Sequence, residues 1–365
     1  MKPIRRSRGR ALRRATALTL LAALASCAST GKGTKEDPAK LESYRKQRLQ
    51  EIKANDAKLN EPARVRIDLG RAIDEYFKTM LQDRNKRVRQ RLEALESVLR
   101  QKVARHFRIL LTDANDSATR PDYRSNALIA LGFVEETPGR SKLNDRINYT
   151  PPSARGIKDD PTQRTEEARS RREQAANALS TALADPQEVV VEGALLGLGL
   201  LAVEDSPVVA IGRILEDAKS SLALRRNASW ALMTMQERLV KGENATRIKI
   251  HPIWQRLLSQ PLGELDAKVL IHCLRGLGMF RDRPDAKLIE PYCEHPVAGV
   301  RMAALIALAR IQHPDSWNVV LKRLESAVET NDNVRLVARK ALMALAGGRD
   351  RSYDVKEWRE LFQRK

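Results

Sequence analysis

Val300–Ile311 reads VRMAALIALARI, and this stretch decides the fold. Val300, Ala304, Ala307, Leu308 and Ile311 fall at i, i+4, i+7, i+8 and i+11, the spacing of one helix face. Met302, Ala303, Leu305, Ile306 and Ala309 carry apolar surface around the other sides. A helix that is apolar nearly all round has to be covered by neighbours on more than one face.

The same phrase recurs along the 365 residues. Aligned on a small-Leu-small triplet, its copies are Ala130-Leu131-Gly132, Gly197-Leu198-Gly199, Ala231-Leu232-Met233, Gly276-Leu277-Gly278, Ala307-Leu308-Ala309 and Ala344-Leu345-Ala346. The steps between them are 67, 34, 45, 31 and 37 residues. The first is one repeat plus an insertion, and the rest suit helix hairpins stacked as repeats. Six positions before the triplets stand Arg124, Val191, Arg225, Leu270, Arg301 and Ala338. Tyr123-Arg124, Leu224-Arg225 and Val300-Arg301 complete an apolar-Arg pair.

This pattern resembles the HEAT repeat family, in the short variety also seen in phycobilisome lyases, and the resemblance covers about residues 98–346. It implies an all-α protein, an α-α superhelix or HEAT-like solenoid. Val191, Leu270 and Ala338 depart from the expected Arg, and Met233 from the expected small residue. In the family the second helix of each pair lines the concave side, so Arg124, Arg225 and Arg301 are candidate partner-binding residues. The competing reading makes this Arg a structural ladder to acids of adjacent turns.

The repeats are expected over 114–346, with helices at 168–184, 189–203, 208–219, 222–239, 252–259, 266–280, 285–294, 298–311, 316–328 and 333–346. Residues 135–167 hold Pro138, Gly139, Pro151, Pro152, Gly156 and Pro161 with few apolar residues, and read as an inserted surface loop. Gly193 to Val203 carries no charge and is too short to cross a bilayer, which makes it a buried helix. Its Gly193, Gly197 and Gly199 are tolerable there if a neighbouring helix comes close. Residues 347–365 form a closing turn and helix in which Trp358 caps the open apolar edge, as the end of a solenoid requires.

The other end carries an address. Lys2, Arg5, Arg6, Arg8, Arg10, Arg13 and Arg14 form a basic run without an acid, and Leu18–Ala25 is a short apolar core. Leu24-Ala25-Ser26-Cys27 follows and resembles the lipobox of bacterial lipoproteins. The resemblance implies a signal peptide at 1–26 and a lipidated Cys27. Ala28 after the cysteine implies the outer membrane, facing the periplasm. Residues 27–40, polar and small, are a flexible tether. Losing the signal removes seven cations and lowers the formal charge from +20 to +13.

Residues 41–113 read as charged N-terminal helices. One apolar stripe is Ile67, Ala72, Ile73, Phe77 and Leu81, and another is Val88, Leu92, Leu95, Val98 and Leu99. From Arg45 to Arg108 there are 18 basic and 9 acidic residues, densest at Arg84, Lys86, Arg87, Arg89 and Arg91. Arg84, Arg87 and Arg91 belong either to a patch for anionic lipid headgroups or an acidic polymer, or to a solvated helix face with internal pairing.

No nucleotide loop, nucleophile elbow or metal-ligand string is present in the sequence. His272, Cys273, Cys293, Glu294 and His295 lack the close ligand pairs of a zinc site, so no metal and no cofactor is expected. Cys273 and Cys293 fall in neighbouring helices and are either a disulfide or two small buried thiols. Phycobilin lyase chemistry does not suit an exported lipoprotein. The expected function is therefore a membrane-anchored, non-catalytic scaffold for another envelope protein, with no nucleic acid and no small-molecule substrate. The alternative is binding of anionic headgroups or an acidic polymer by the basic helices.

Overall fold

The computed structural model describes residues 61–82, 85–134, 161–239, 245–261 and 263–363. The signal peptide, Cys27, the tether, Arg84 and residues 135–160 of the insertion lie outside them. Among the described residues all regular structure is helical. The chain divides into two compact units, Met1–Glu96 and Ser97–Lys365, with the division inside one helix.

The first unit holds α1 (Glu61–Met80) and the start of α2 (Lys86–Asn115). In α1 the buried stripe is Val65, Leu69, Ile73 and Tyr76, a clean i, i+4, i+8, i+11 series. The stripe expected from Ile67 to Leu81 is corrected: only Ile73 is buried, and Leu81 is 49% exposed. The buried series starts two residues earlier, where consecutive apolar residues keep helical phase.

In the second unit α3 (Pro121–Leu131) precedes five helix pairs. They are α4 (Pro161–Ala182) with α5 (Glu188–Leu201), α6 (Val208–Glu216) with α7 (Leu222–Arg238), and α8 (Ala245–Leu258) with α9 (Ala267–Phe280). Next come α10 (Asp285–Ile289), extended by a 3-10 turn at Glu290–Glu294, with α11 (Ala298–Ile311), and α12 (Trp317–Lys322) with α13 (Asp332–Leu345). The helix α14 (Val355–Gln363) closes the stack. The second helices pack in series, α3 on α5, α5 on α7, α7 on α9, α9 on α11 and α11 on α13. Their partners α6, α8 and α10 pack in series as the other layer. The unit is an all-α, two-layered HEAT-like repeat solenoid.

The stack rests on the triplets. Leu131, Leu198, Leu232, Leu277 and Leu308 are all fully buried. The glycines of α5 and α9 permit close approach. A Cβ on Gly193 would lie 2.6–2.7 Å from Ser125 atoms of α3, and one on Gly278 would lie 2.8 Å from Ala307 Cα of α11. Polar ends are matched as well. At the C-terminus of α5, Arg238 donates to Leu200 O at 2.7 Å and Arg172 to Leu201 O at 2.6 Å, answering carbonyls with no helical partner. Gln236, fully buried, donates to Gly276 O at 2.8 Å and accepts from Trp254 Nε1 at 2.9 Å, which ties α7, α8 and α9 together.

Three expected boundaries differ. The helix of the first pair starts at Pro161 rather than at residue 168, so the last part of the expected loop 135–167 is helical. Proline costs no hydrogen bond at a first helical position, where an N–H would have no helical partner. Pro252 lies inside α8 instead of opening it. The helix expected over 316–328 is only Trp317–Lys322, because the chain turns inward through Glu325 to bury Glu329.

Candidate functional site

The series of second helices is the surface on which the arginine question is decided. Arg124 of α3 is 8% exposed and donates from Nη2 to Asp185 Oδ2 at 2.6 Å. Asp185 also accepts from Gln187 N, at the entry to α5. Arg301 of α11 grips Glu329 with Nε and Nη2 at 2.7 and 2.8 Å, and Glu329 accepts from Asn331 N at the entry to α13. Each pair forms a rung: the guanidinium of one repeat holds the carboxylate that also fixes the turn into the next.

Two rungs use arginines one position later than the sequence alignment suggested. Arg226 of α7 forks onto Asp266 at 2.8 and 2.6 Å, and Asp266 is the N-cap of α9. Arg339 of α13 pairs with Asp350, which accepts from Ser352 N. Burial opposes ionisation of Asp266 and Glu329, but their Arg partners outweigh it and hold both carboxyls below the usual range. Arg225 instead donates to Leu215 O at 3.1 Å. Arg124, Arg225 and Arg301 were candidate partner-binding residues, and all three are engaged inside the repeat unit. Arg301, gripping Glu329 with two bonds, has little left to offer a ligand, whereas Arg225 is held by a carbonyl and Arg124 keeps a buried Nε without a partner.

In the first unit Arg87 and Arg91 are exposed, and Arg91 pairs with Glu75 at 2.8 Å. Lys86 and Arg89 are exposed on the same helix.

Cys273 and Cys293 are free thiols, both fully buried. Burial pushes Cys273 far above the usual thiol range and Cys293 up to about 12, so both are protonated at neutral pH. His272 hydrogen-bonds through Nδ1 to Ser229 Oγ at 2.8 Å, and burial, then Arg275, lowers it to about 4. His295 accepts from Val297 N through its own Nδ1 at 3.1 Å. The residues around the two cysteines are thus occupied separately. Among the described residues, a group able to converge on one cation lies elsewhere: His251, Asp282 and Asp285.

At α5 the row of rungs breaks. Glu192 occupies the register that Arg226 and Arg339 hold in their helices, is 5% exposed, and has no guanidinium to answer it. Burial, then the neighbouring Glu188 carboxylate, raises its pKa from 4.5 to about 7. A carboxyl raised in the folded state favours folding in its protonated form, and that advantage is lost as pH rises from 4.5 through 7. Glu192→Gln should therefore gain about 2 kcal/mol at pH 8, a value discounted for solvent screening, and almost nothing at pH 4.5. Thermal unfolding of both proteins at the two pH values checks this.

No family model and no curated protein matches the sequence. Among solved structures, an engineered protein is similar at 14% identity and a TM-score of 0.41, over 66% of this chain and 97% of that one. The complex of CpcE and CpcF of phycocyanin lyase from Nostoc sp. PCC7120 is similar at 14% identity and a TM-score of 0.36, over 92% of this chain and 99% of that chain. These likenesses concern the fold and transfer no activity. The expectation that the chain is not an enzyme is corrected by the second, which is a lyase complex.

Proposed function

We propose that this chain is a helical-repeat docking scaffold for another protein of the bacterial envelope, moored to the outer membrane through a lipid on Cys27. One observation supports the docking role above the rest. The repeat unit engages Arg124, Arg225 and Arg301 internally yet leaves apolar side chains exposed, among them Ile248 at 63%, Val209 at 59% and Leu222 at 47%. Contiguous exposed apolar surface marks protein interfaces, and these three residues stand on the mutually packed helices α6, α7 and α8. The anchor rests on the order of basic run, apolar run and Leu24-Ala25-Ser26-Cys27. Among the described residues no helix is long and apolar enough to cross a membrane.

The anchor is tested by Cys27→Ser in the native cell. Membrane fractionation should find the wild type with the membranes and the variant free in the soluble fraction, since a single cysteine carries all the acyl chains. Equal membrane association of both would overturn the anchor. For the docking role, crosslinking in intact cells should give one discrete heteromeric adduct, and crosslinks spread over many abundant proteins would argue against it.

The exposure of Lys86, Arg87 and Arg89 on one helix supports a second reading, attraction to anionic headgroups. That reading requires vesicle binding to fall steeply with salt.

A further inference from the structure

We propose that His251, Asp282 and Asp285 form a site for a first-row divalent transition metal, bridging α8 to the turn between α9 and α10. Asp285, the first residue of α10, has a completely buried side chain. Two other buried carboxylates are answered by guanidinium, Asp185 by Arg124 and Glu329 by Arg301. Asp285 has neither arginine nor lysine against it. Its Oδ1 accepts from Gln255 Nε2 at 2.8 Å, and its Oδ2 lies 2.7 Å from His251 Nε2. A buried carboxylate served by an amide and an imidazole has a compensating charge only where the imidazole is protonated or a cation stands beside it.

A second carboxylate makes the shortage worse. Asp282 stands three residues earlier, and one ligand atom each from His251, Asp282 and Asp285 lies within 4.8 Å of the others. Helix α9 ends on Arg281 in the left-handed region, at φ 58, and the Asp285 N–H bonds Asp282 O at 3.2 Å. This turn brings both acids to one side of His251. Two negative groups drawn together beside an imidazole are stabilised by a cation between them.

The surroundings suit a metal. Tetrahedral zinc at about 2.1 Å from each ligand needs ligand atoms about 3.4 Å apart. Exposed Asp282 has to move inward by at most about 1.4 Å, and the His251–Asp285 contact has to open by about 0.7 Å. The His251 ring is held by stacking on Phe280, with centroids 4.2 Å apart. Gln255 orients Asp285 from behind, in the way that outer hydrogen-bond partners fix metal-ligating carboxylates. His251 is 19% exposed by side chain and Asp282 is exposed, so an ion can enter from solvent. One imidazole nitrogen with two carboxylate oxygens selects zinc, cobalt or manganese over soft copper(I), and over magnesium and calcium, which favour all-oxygen shells. Three protein ligands leave a fourth position for water.

The experiment uses the full chain freed of metal by chelation and dialysis. With Zn²⁺ alone as the probe, calorimetry should give one site per chain, and the thermal midpoint should rise by several degrees. Co²⁺ in its place should produce visible absorption bands that Zn²⁺ displaces. Asp282→Asn removes an exposed ligand without touching the core, so it should leave the metal-free midpoint unchanged and weaken Zn²⁺ binding by about tenfold or more. His251→Gln should abolish the cobalt bands. No saturable Zn²⁺ binding by the wild type, or undiminished binding by both variants, overturns the site.

Discussion

Arg301→Ala is expected to destabilise the repeat unit by about 4 kcal/mol. The side chain of Arg301 is 13% exposed and that of Glu329 only 2%. The guanidinium makes two bonds to the carboxylate and donates to His295 O and Pro296 O, both at 2.9 Å. Alanine leaves the buried carboxylate with the Asn331 N–H but without its guanidinium, and removes the donor to both carbonyls. Denaturant unfolding of the wild type and variant measures the loss. The double variant Arg301→Met, Glu329→Leu should recover most of it, because a well-packed apolar pair replaces an ion pair at little cost. The sign with pH follows from Glu329, whose carboxyl is held low by Arg301 against the opposing effect of burial. A depressed carboxyl contributes stability above its unfolded pKa and loses it as pH falls through the folded value. The acid limb of the stability curve should be flatter in Arg301→Ala.

Trp358→Ala should cost a similar amount, about 4 kcal/mol, but confined to one end. Trp358 is fully buried and donates from Nε1 to Ser352 O at 3.0 Å. Phe362 lies beside it and stacks flat on Trp317 of α12, with centroids 5.2 Å apart. Gly347 and Gly348, at φ 69 and 92, turn the chain so that α14 can lie over the last pair. In a solenoid each repeat touches only its neighbours, so the damage should decay with distance. Segment-resolved hydrogen exchange should accelerate in α12 to α14 and stay unchanged in α3 to α7. Uniform acceleration would mean that the unit unfolds as one globule.

The periodicity of Val300–Ile311 and its copies was enough to read the all-α repeat fold, because a helix that cannot hide its apolar faces alone demands stacked neighbours. Trp358 was legible for the same reason: a stack must end, and a large apolar residue past the last repeat can end it. The rungs were only half legible. Arg124 and Arg301 stood in the expected register, but Arg226 and Arg339 are displaced by one position, and such a shift is invisible until the carboxylate partners are placed. Asp266 and Asp350 lie 40 and 11 residues from their arginines, and no local spacing links them. The group of His251, Asp282 and Asp285 was missed likewise. Its members look like scattered polar residues until α8 lies against the turn after α9. The stripe of α1 and the short α12 failed because apolar residues were counted without knowing which side a neighbour would cover.

Helix α5 gives the most direct test of the stack. Its three glycines make it a poor helix in isolation, and it is held between α3 and α7. Hydrogen exchange monitored over residues 188–201 is therefore the decisive measurement. The stacked repeat unit predicts that these amides are among the slowest of the described residues to exchange. Early exchange there, while α11 stays protected, would contradict the stack.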